Sequence, residues 1–289
     1  MRIKDSELII NQDGSVFHLH LKPEDLAEKI ILVGDPERVN IIGGFLDNIE
    51  LNKNNREFNT ITGHYKGKRV SVISTGIGCD NIDIVVNEID ALANINLETR
   101  TCNKNLKQLD ICRIGTCGGI QEFCRLGEFV ASKVCIGLDG LINFYEKRDQ
   151  ICNSELERAF VKHMEWKGNK CIQHPYVINA SNKLLENIGH DMIKGITVTC
   201  PGFYAPQGRT LRIGIADPLQ NKKIEAFRYE NNCITNYEME CSALYGLSKL
   251  LGHNALTCCM VVANRHQGES NPNYKESLRR LIRIVLERI

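Results

Sequence analysis

Ile30-Ile31-Leu32-Val33-Gly34-Asp35-Pro36-Glu37-Arg38 decides the architecture. Four consecutive apolar residues closed by a glycine describe a strand buried on both faces, as in a parallel sheet; a strand with one wet face would alternate. Past Gly34, Asp35 suits an N-cap and Pro36 the first helical position, so the chain should run from strand into helix with Arg38 one turn in. A helix entered this way presents free backbone N–H groups to an anion, and Arg38 adds a charge.

Outward from this unit, strand-like and helix-like runs alternate. Residues 61–65 and 69–74 read as a hairpin turning through Lys66-Gly67-Lys68. Residues 81–93 read as a helix with Ile82, Val85, Val86, Ile89 and Leu92 on one stripe. Apolar runs at 110–114, 127–138, 193–200 and 255–263 predict buried strands; residues 154–164, 181–188, 221–228 and 274–289 have helical spacing. Toward the N-terminus, Val16-Phe17-His18-Leu19-His20-Leu21 alternates, predicting a short strand or extended arm with both histidines on one face. Residues 94–108 form a polar insertion without a core pattern. No repeat or linker divides the chain, so an α/β domain over 16–289 with a polar tail over 1–15 is expected.

Composition narrows the function. Lys and Arg number 36 against 35 Asp and Glu, so no overall field attracts nucleic acid or an anionic membrane, and any anion must be held by a local cluster. No apolar run approaches the roughly 20 residues of a membrane span, and the N-terminal residues lack a signal-peptide core, so a cytoplasmic protein is expected. Thirteen cysteines are scattered without a Cys-x-x-Cys pair, which points to buried reduced thiols rather than a disulfide frame or zinc site.

Four stretches carry candidate chemistry. In Tyr237-Glu238-Met239-Glu240 two acids stand two apart at the head of an apolar helical run; helix neighbours lie three or four apart, so at least one acid must precede the helix, where it can accept from sugar hydroxyls or simply cap. In Arg113-Ile114-Gly115-Thr116-Cys117-Gly118-Gly119 a buried arginine demands an anionic partner, the glycines admit a close ligand, and Cys117 also fits a nucleophile elbow. Ser74-Thr75-Gly76-Ile77-Gly78 opens like a dinucleotide fingerprint, but Asn81 stands at its third glycine position. Finally, residues 201–209 form a loop whose Phe203, Gln207 and Arg209 suit a planar heterocycle.

Together with Val16-Phe17-His18-Leu19, Gly34-Asp35-Pro36-Glu37-Arg38, Arg56-Glu57-Phe58 and Asn264-Arg265, these stretches run in the family's order from residue 16 to residue 265 and resemble the uridine phosphorylases of nucleoside phosphorylase family I. The resemblance implies a three-layer α/β/α single domain around a large mixed β-sheet, and reversible phosphorolysis of uridine to uracil and ribose 1-phosphate. It implies phosphate held by Gly34, Arg38, Arg113 and Thr116, with Arg56 reaching in from a neighbouring subunit. By the same resemblance Met239 and Glu240 hold the ribose, a neighbour's His18 approaches the 5′-hydroxyl, and Phe203, Gln207 and Arg209 hold uracil. The resemblance makes Arg113, Gln207, Arg209 and Glu240 the catalytic set and phosphate a co-substrate, with no cofactor and no metal expected. The smallest competent unit would be a two-fold homodimer, with a ring of three dimers as a higher assembly. A purine-cleaving relative is the nearest alternative; such members carry Ser-Asp where this chain has Asn264-Arg265. A nucleoside sensor without turnover is the alternative of another class, and it has no need of Arg38, Arg56 and Arg113.

Overall fold

The computed structural model describes residues 2–166 and 174–289. Strand β1 (Lys29–Val33) is buried after its first residue, and Asp35 caps helix α1 (Pro36–Gly43) by accepting the Glu37 N–H at 2.9 Å. A meander follows, β2 (Asp47–Asn55), β3 (Phe58–Tyr65) and β4 (Lys68–Ser74), so the expected hairpin has a third strand in front of it. Its polar sequence hid β2, which is an edge strand, where polar residues block pairing with other chains. Helix α2 (Cys79–Asn94) bears the expected stripe. Within the polar insertion, a small hairpin of β5 (Ile95–Asn96) and β6 (Thr101–Cys102) anchors the N-terminal tail, as the Ile3 N–H donates to Arg100 O and Arg100 Nη1 to Leu8 O.

Residues 16–21 are not the extended arm that their alternation predicts. They form a tight turn in which the Val16 N–H donates to Leu21 O and the His20 N–H to Val16 O, with Val16, Leu19 and Leu21 buried. His18 and His20 do not share a face: His18 meets Glu88 and His20 meets Asp13. The alternation misleads because Glu88, 70 positions from His18, accepts the N–H groups of His18 and Leu19 and so draws the segment into a turn.

The chain continues through β7 (Asp110–Gly119), β8 (Phe129–Gly137), α3 (Arg148–Ile151), α4 (Ser154–Met164), β9 (Tyr176–Asn179), α5 (Asn182–Asn187) and β10 (Ile193–Thr199). It ends with α6 (Gln220–Ala226), β11 (Arg228–Tyr229), β12 (Asn232–Glu238), α7 (Cys241–Leu251), β13 (Asn254–Asn264), β14 (Glu269–Ser270) and α8 (Lys275–Arg288). Among the described residues, twelve strands form one mixed sheet in the order β11-β12-β10-β8-β13-β7-β1-β4-β3-β2, with β9 on β8 and β14 on β13. The sheet also curls on itself. Tyr237 and Asn236 of β12 pair antiparallel with Gly118 and Gly119 of β7, closing β7, β13, β8, β10 and β12 into a ring. Register shifts after Gly195 and after Val261 supply the bends that closure needs. The carboxyl ends of β7 and β12 therefore meet. Of the twelve cysteines described, all free, nine are buried as expected; Cys171 lies outside the described residues.

Helix α7 packs on α2, β8, β9 and β13, and Gly246 permits the approach. A Cβ there would lie 2.4 Å and 2.5 Å from Ile142 side-chain carbons and 3.0 Å from one of Ile178. Alanine in a helix normally gains up to about 1 kcal/mol over glycine. Overpacking costs about 1–3 kcal/mol and outweighs it here. Gly246→Ala is therefore expected to lower the chemical denaturation midpoint, and an unchanged or raised midpoint would show that the packing yields.

Candidate active site

The carboxyl ends of β1, β4, β7 and β12 open on a cavity of about 870 Å³, where ligands sit in open α/β sheets. Each of four separated stretches contributes to its wall. Gly34 and Arg38 come from the β1–α1 junction, Arg113 and Thr116 from β7, Met239 and Glu240 from the β12–α7 junction, and Phe203, Gln207 and Arg209 from the loop after β10. Nine of the residues singled out from sequence thus line one cavity. His18 and Arg56 do not.

Arg113 is the buried centre. Its Nη2 donates to Glu240 in a very short contact, while Nη1 stands 3.4 Å from Glu238 Oε2. Burial works against its charge, but Glu240 and then Glu238 more than offset this, holding the guanidinium above its ordinary pKa. Gly115 serves this arginine rather than a ligand, correcting the expectation from sequence: a Cβ would lie 2.3 Å from Arg113 Nη1 and 2.9 Å from Cys259 Sγ. Arg38, also buried, donates from Nη1 to Ile114 O at 3.2 Å. Burial and then the Arg113 charge lower its pKa, so an anion reaching both arginines would relieve that repulsion.

The acid pair divides its work as helical spacing requires, both members preceding α7. Glu238 ends β12 and accepts from Thr199 Oγ1 at 2.5 Å and from the N–H groups of Glu240 and Cys241 at 2.8 Å each. Glu240 accepts the Gly78 N–H at 2.9 Å, placing its carboxylate at the N-terminus of α2. That occupant, with Gly78 at φ +104°, replaces the pyrophosphate of the dinucleotide reading. The elbow reading fails too: Cys117 lies in β7, and burial drives its thiol far above the ordinary range.

On the far wall Arg209 stacks 3.7 Å over the Phe203 ring and donates from Nη1 to Gln207 Oε1 at 2.5 Å. Gln207 is buried while Phe203 is half exposed, giving a polar edge beside an open aromatic face. Arg265 Nη2 reaches the carbonyls of Gln207 and Gly208 at 3.4 Å and 3.3 Å and so braces the loop from behind. Sequence reasoning missed residues 270–274, whose Asn271 and Tyr274 close the cavity. No periodicity marks them.

Away from this cavity, His18 and Arg56 are held side by side. Asn55 Nδ2 donates to His18 O at 2.7 Å, and the Arg56 guanidinium lies 5.2 Å from the centroid of the Phe17 ring. Arg56 takes φ +56° in the β2–β3 turn, while the next residue, Glu57, lines the cavity of its own chain.

The chain belongs to the phosphorylase superfamily, whose family profile matches residues 28–289. It is similar to the uridine phosphorylase of Thermococcus kodakarensis, 30% identical over 258 residues that span 89% of this chain and 80% of the relative. The uridine phosphorylase of Haemophilus influenzae is 28% identical over 284 residues, 94% and 96% of the two chains. Among solved structures, a Trypanosoma brucei nucleoside phosphorylase that shows uridine phosphorylase activity matches with TM-score 0.85 at 30% identity, over 97% of this chain and 98% of that one.

Glu238 makes stability depend on pH. Burial raises its carboxyl, which Arg113 opposes and Glu240 reinforces, to about 7. The folded state then binds the proton more tightly than the unfolded one, so this contribution is complete below the ordinary 4.5 and is lost as pH rises through about 7. Measured by denaturation, wild type should lose stability relative to Glu238→Gln between about pH 5 and about pH 8. A difference constant across that range would place the proton elsewhere.

Proposed function

We propose that this chain catalyses the reversible phosphorolysis of uridine to uracil and ribose 1-phosphate. The observation that carries the reading is the convergence of an arginine pair, an acid pair and an Arg-on-Phe platform in one cavity. In this reading Gly34, Arg38, Arg113 and Thr116 hold phosphate, Met239 and Glu240 the ribose, and Phe203, Gln207 and Arg209 the uracil. Guanidinium forks match phosphate oxygens, and an amide matches adjacent carbonyl and N–H groups of the base.

A phosphate oxygen attacks C1′ as the C1′–N1 bond breaks through an oxocarbenium-like transition state. The bonding pair leaves on the base, where Arg209 and Gln207 stabilise the growing charge until solvent protonates it. Glu240 orients the ribose hydroxyls and transfers no proton, and no step calls on a cofactor or metal. Arg265 supports the pyrimidine reading over the purine one. It stands where the purine-cleaving members carry the Asp that protonates the base, donates instead to the carbonyls of Gln207 and Gly208, and offers no carboxylic acid to a purine.

The proposal extends to assembly. Arg38, Arg113 and Arg209 line the cavity against Asp35, Glu57, Glu238 and Glu240, so its own charges leave no cationic excess when all are ionised, and a phosphate dianion needs a further cation. Arg56, fixed beside His18, would supply it to a partner's cavity in a two-fold dimer, and three such dimers would make a ring. Residues 16–289 would act as the catalytic domain with 1–15 as a tail. The free thiols fit a reducing cytoplasm.

An ultraviolet assay tests the reading. Uridine should be cleaved only with phosphate or arsenate present, and inosine left intact; base release from inosine alone, or without phosphate, would overturn it. Arg113→Ala, its folding checked by denaturation, should lose about 10²–10³ in kcat, as for one lost transition-state contact. A wild-type rate would remove Arg113 from the site.

A further inference from the structure

Glu88 is an acid on the buried side of α2, among Val85, Val86, Ile89 and Leu92. A lone carboxylate there would be costly, and its hydrogen bonds all run to one place. Oε1 and Oε2 accept the His18 N–H at 2.9 Å and 3.1 Å, and Oε2 accepts the Leu19 N–H at 2.8 Å. These backbone bonds already satisfy both oxygens and hold the turn. The remaining contact, 2.6 Å from Oε1 to His18 Nδ1, adds nothing to the backbone path but fixes the ring. Phe17 and Phe58 meet that ring edge-on at 4.9 Å and 6.4 Å, and the side chain keeps 28% of its surface exposed. Among the described residues, no hydrogen bond involves His18 Nε2.

We propose that Glu88 is a positioning residue for His18: its carboxylate fixes the proton on Nδ1 and presents Nε2 outward as an acceptor for a primary hydroxyl, the 5′-hydroxyl of a nucleoside in the partner's cavity. An ionised carboxylate only accepts, so the nitrogen facing it carries the hydrogen, and in the neutral ring the other nitrogen then offers a lone pair. This rests on the reading that the chain cleaves uridine with His18 supplied across a dimer.

Two measurements on the full-length protein test it. In long-range proton–nitrogen spectra of histidine-labelled wild type, with His18 assigned by its loss in His18→Asn, neutral His18 should be the Nδ1–H tautomer. An Nε2–H tautomer or an averaged signal would overturn the proposal. In kinetics, Glu88→Gln should lower kcat/KM for uridine about tenfold, the fold-change of one lost hydrogen bond, and that for 5′-deoxyuridine less than about twofold. His18→Ala should show the same split, and the double variant should fall no further. The 5′-deoxyuridine rate in the same preparation controls for misfolding, so equal losses on both substrates, or additive losses in the double variant, would refute positioning. No cleavage of uridine by wild type would sink the functional reading instead, and the tautomer spectrum would still decide whether Glu88 sets the ring.

Discussion

A buried guanidinium held between two carboxylates is the constraint on which the rest of this molecule depends. Arg113 can lie inside the sheet because Glu238 and Glu240 meet it there and because Gly115 leaves it room. Removing one partner from such a pair strands a buried charge, at a cost of about 3–5 kcal/mol. The acids are in turn fixed by the frame: Glu238 by Thr199 and the first N–H groups of α7, Glu240 by the Gly78 N–H. One buried ion cluster thereby ties β7, β12, α2 and α7 together at the wall of the cavity.

The same cluster makes the chemistry conditional. With Arg38, Arg113 and Arg209 set against Asp35, Glu57, Glu238 and Glu240, the cavity is polar and ordered but not strongly cationic. In the proposed reading that balance is useful, because phosphate binds firmly only when a guanidinium arrives from a partner. His18 and Arg56 sit together on the turn of residues 16–21 and the β2–β3 corner; in that reading this unit completes the site of another chain.

What the sequence disclosed, and what it hid, follows from the range of the forces. The β1–α1 junction was legible because its signals are local: an apolar run, a capping Asp35 and Pro36 at the first helical position. The acid pair was legible because helical spacing forbids Glu238 and Glu240 one face, and both indeed precede α7. The grouping of Phe203, Gln207 and Arg209 on one loop was legible, although the stacking of Arg209 on Phe203 was not. Distant contacts left no local mark. The ring closure rests on Tyr237 and Asn236 opposite Gly118 and Gly119, and the turn at His18 on a carboxylate 70 positions away. Gly115 was misread because glycine beside a candidate ligand site and glycine beside a bulky arginine look alike in sequence.

The central claim, that a complete site needs two chains, is tested most directly by complementation. A His18→Ala, Arg56→Ala chain and an Arg113→Ala, Glu240→Ala chain would each be inactive alone. Refolded together, they should form mixed dimers carrying one site assembled wholly from unmutated residues, and uridine phosphorolysis should return. Mixed dimers confirmed by mass but without activity would contradict the account and mean that each chain builds its site from its own residues.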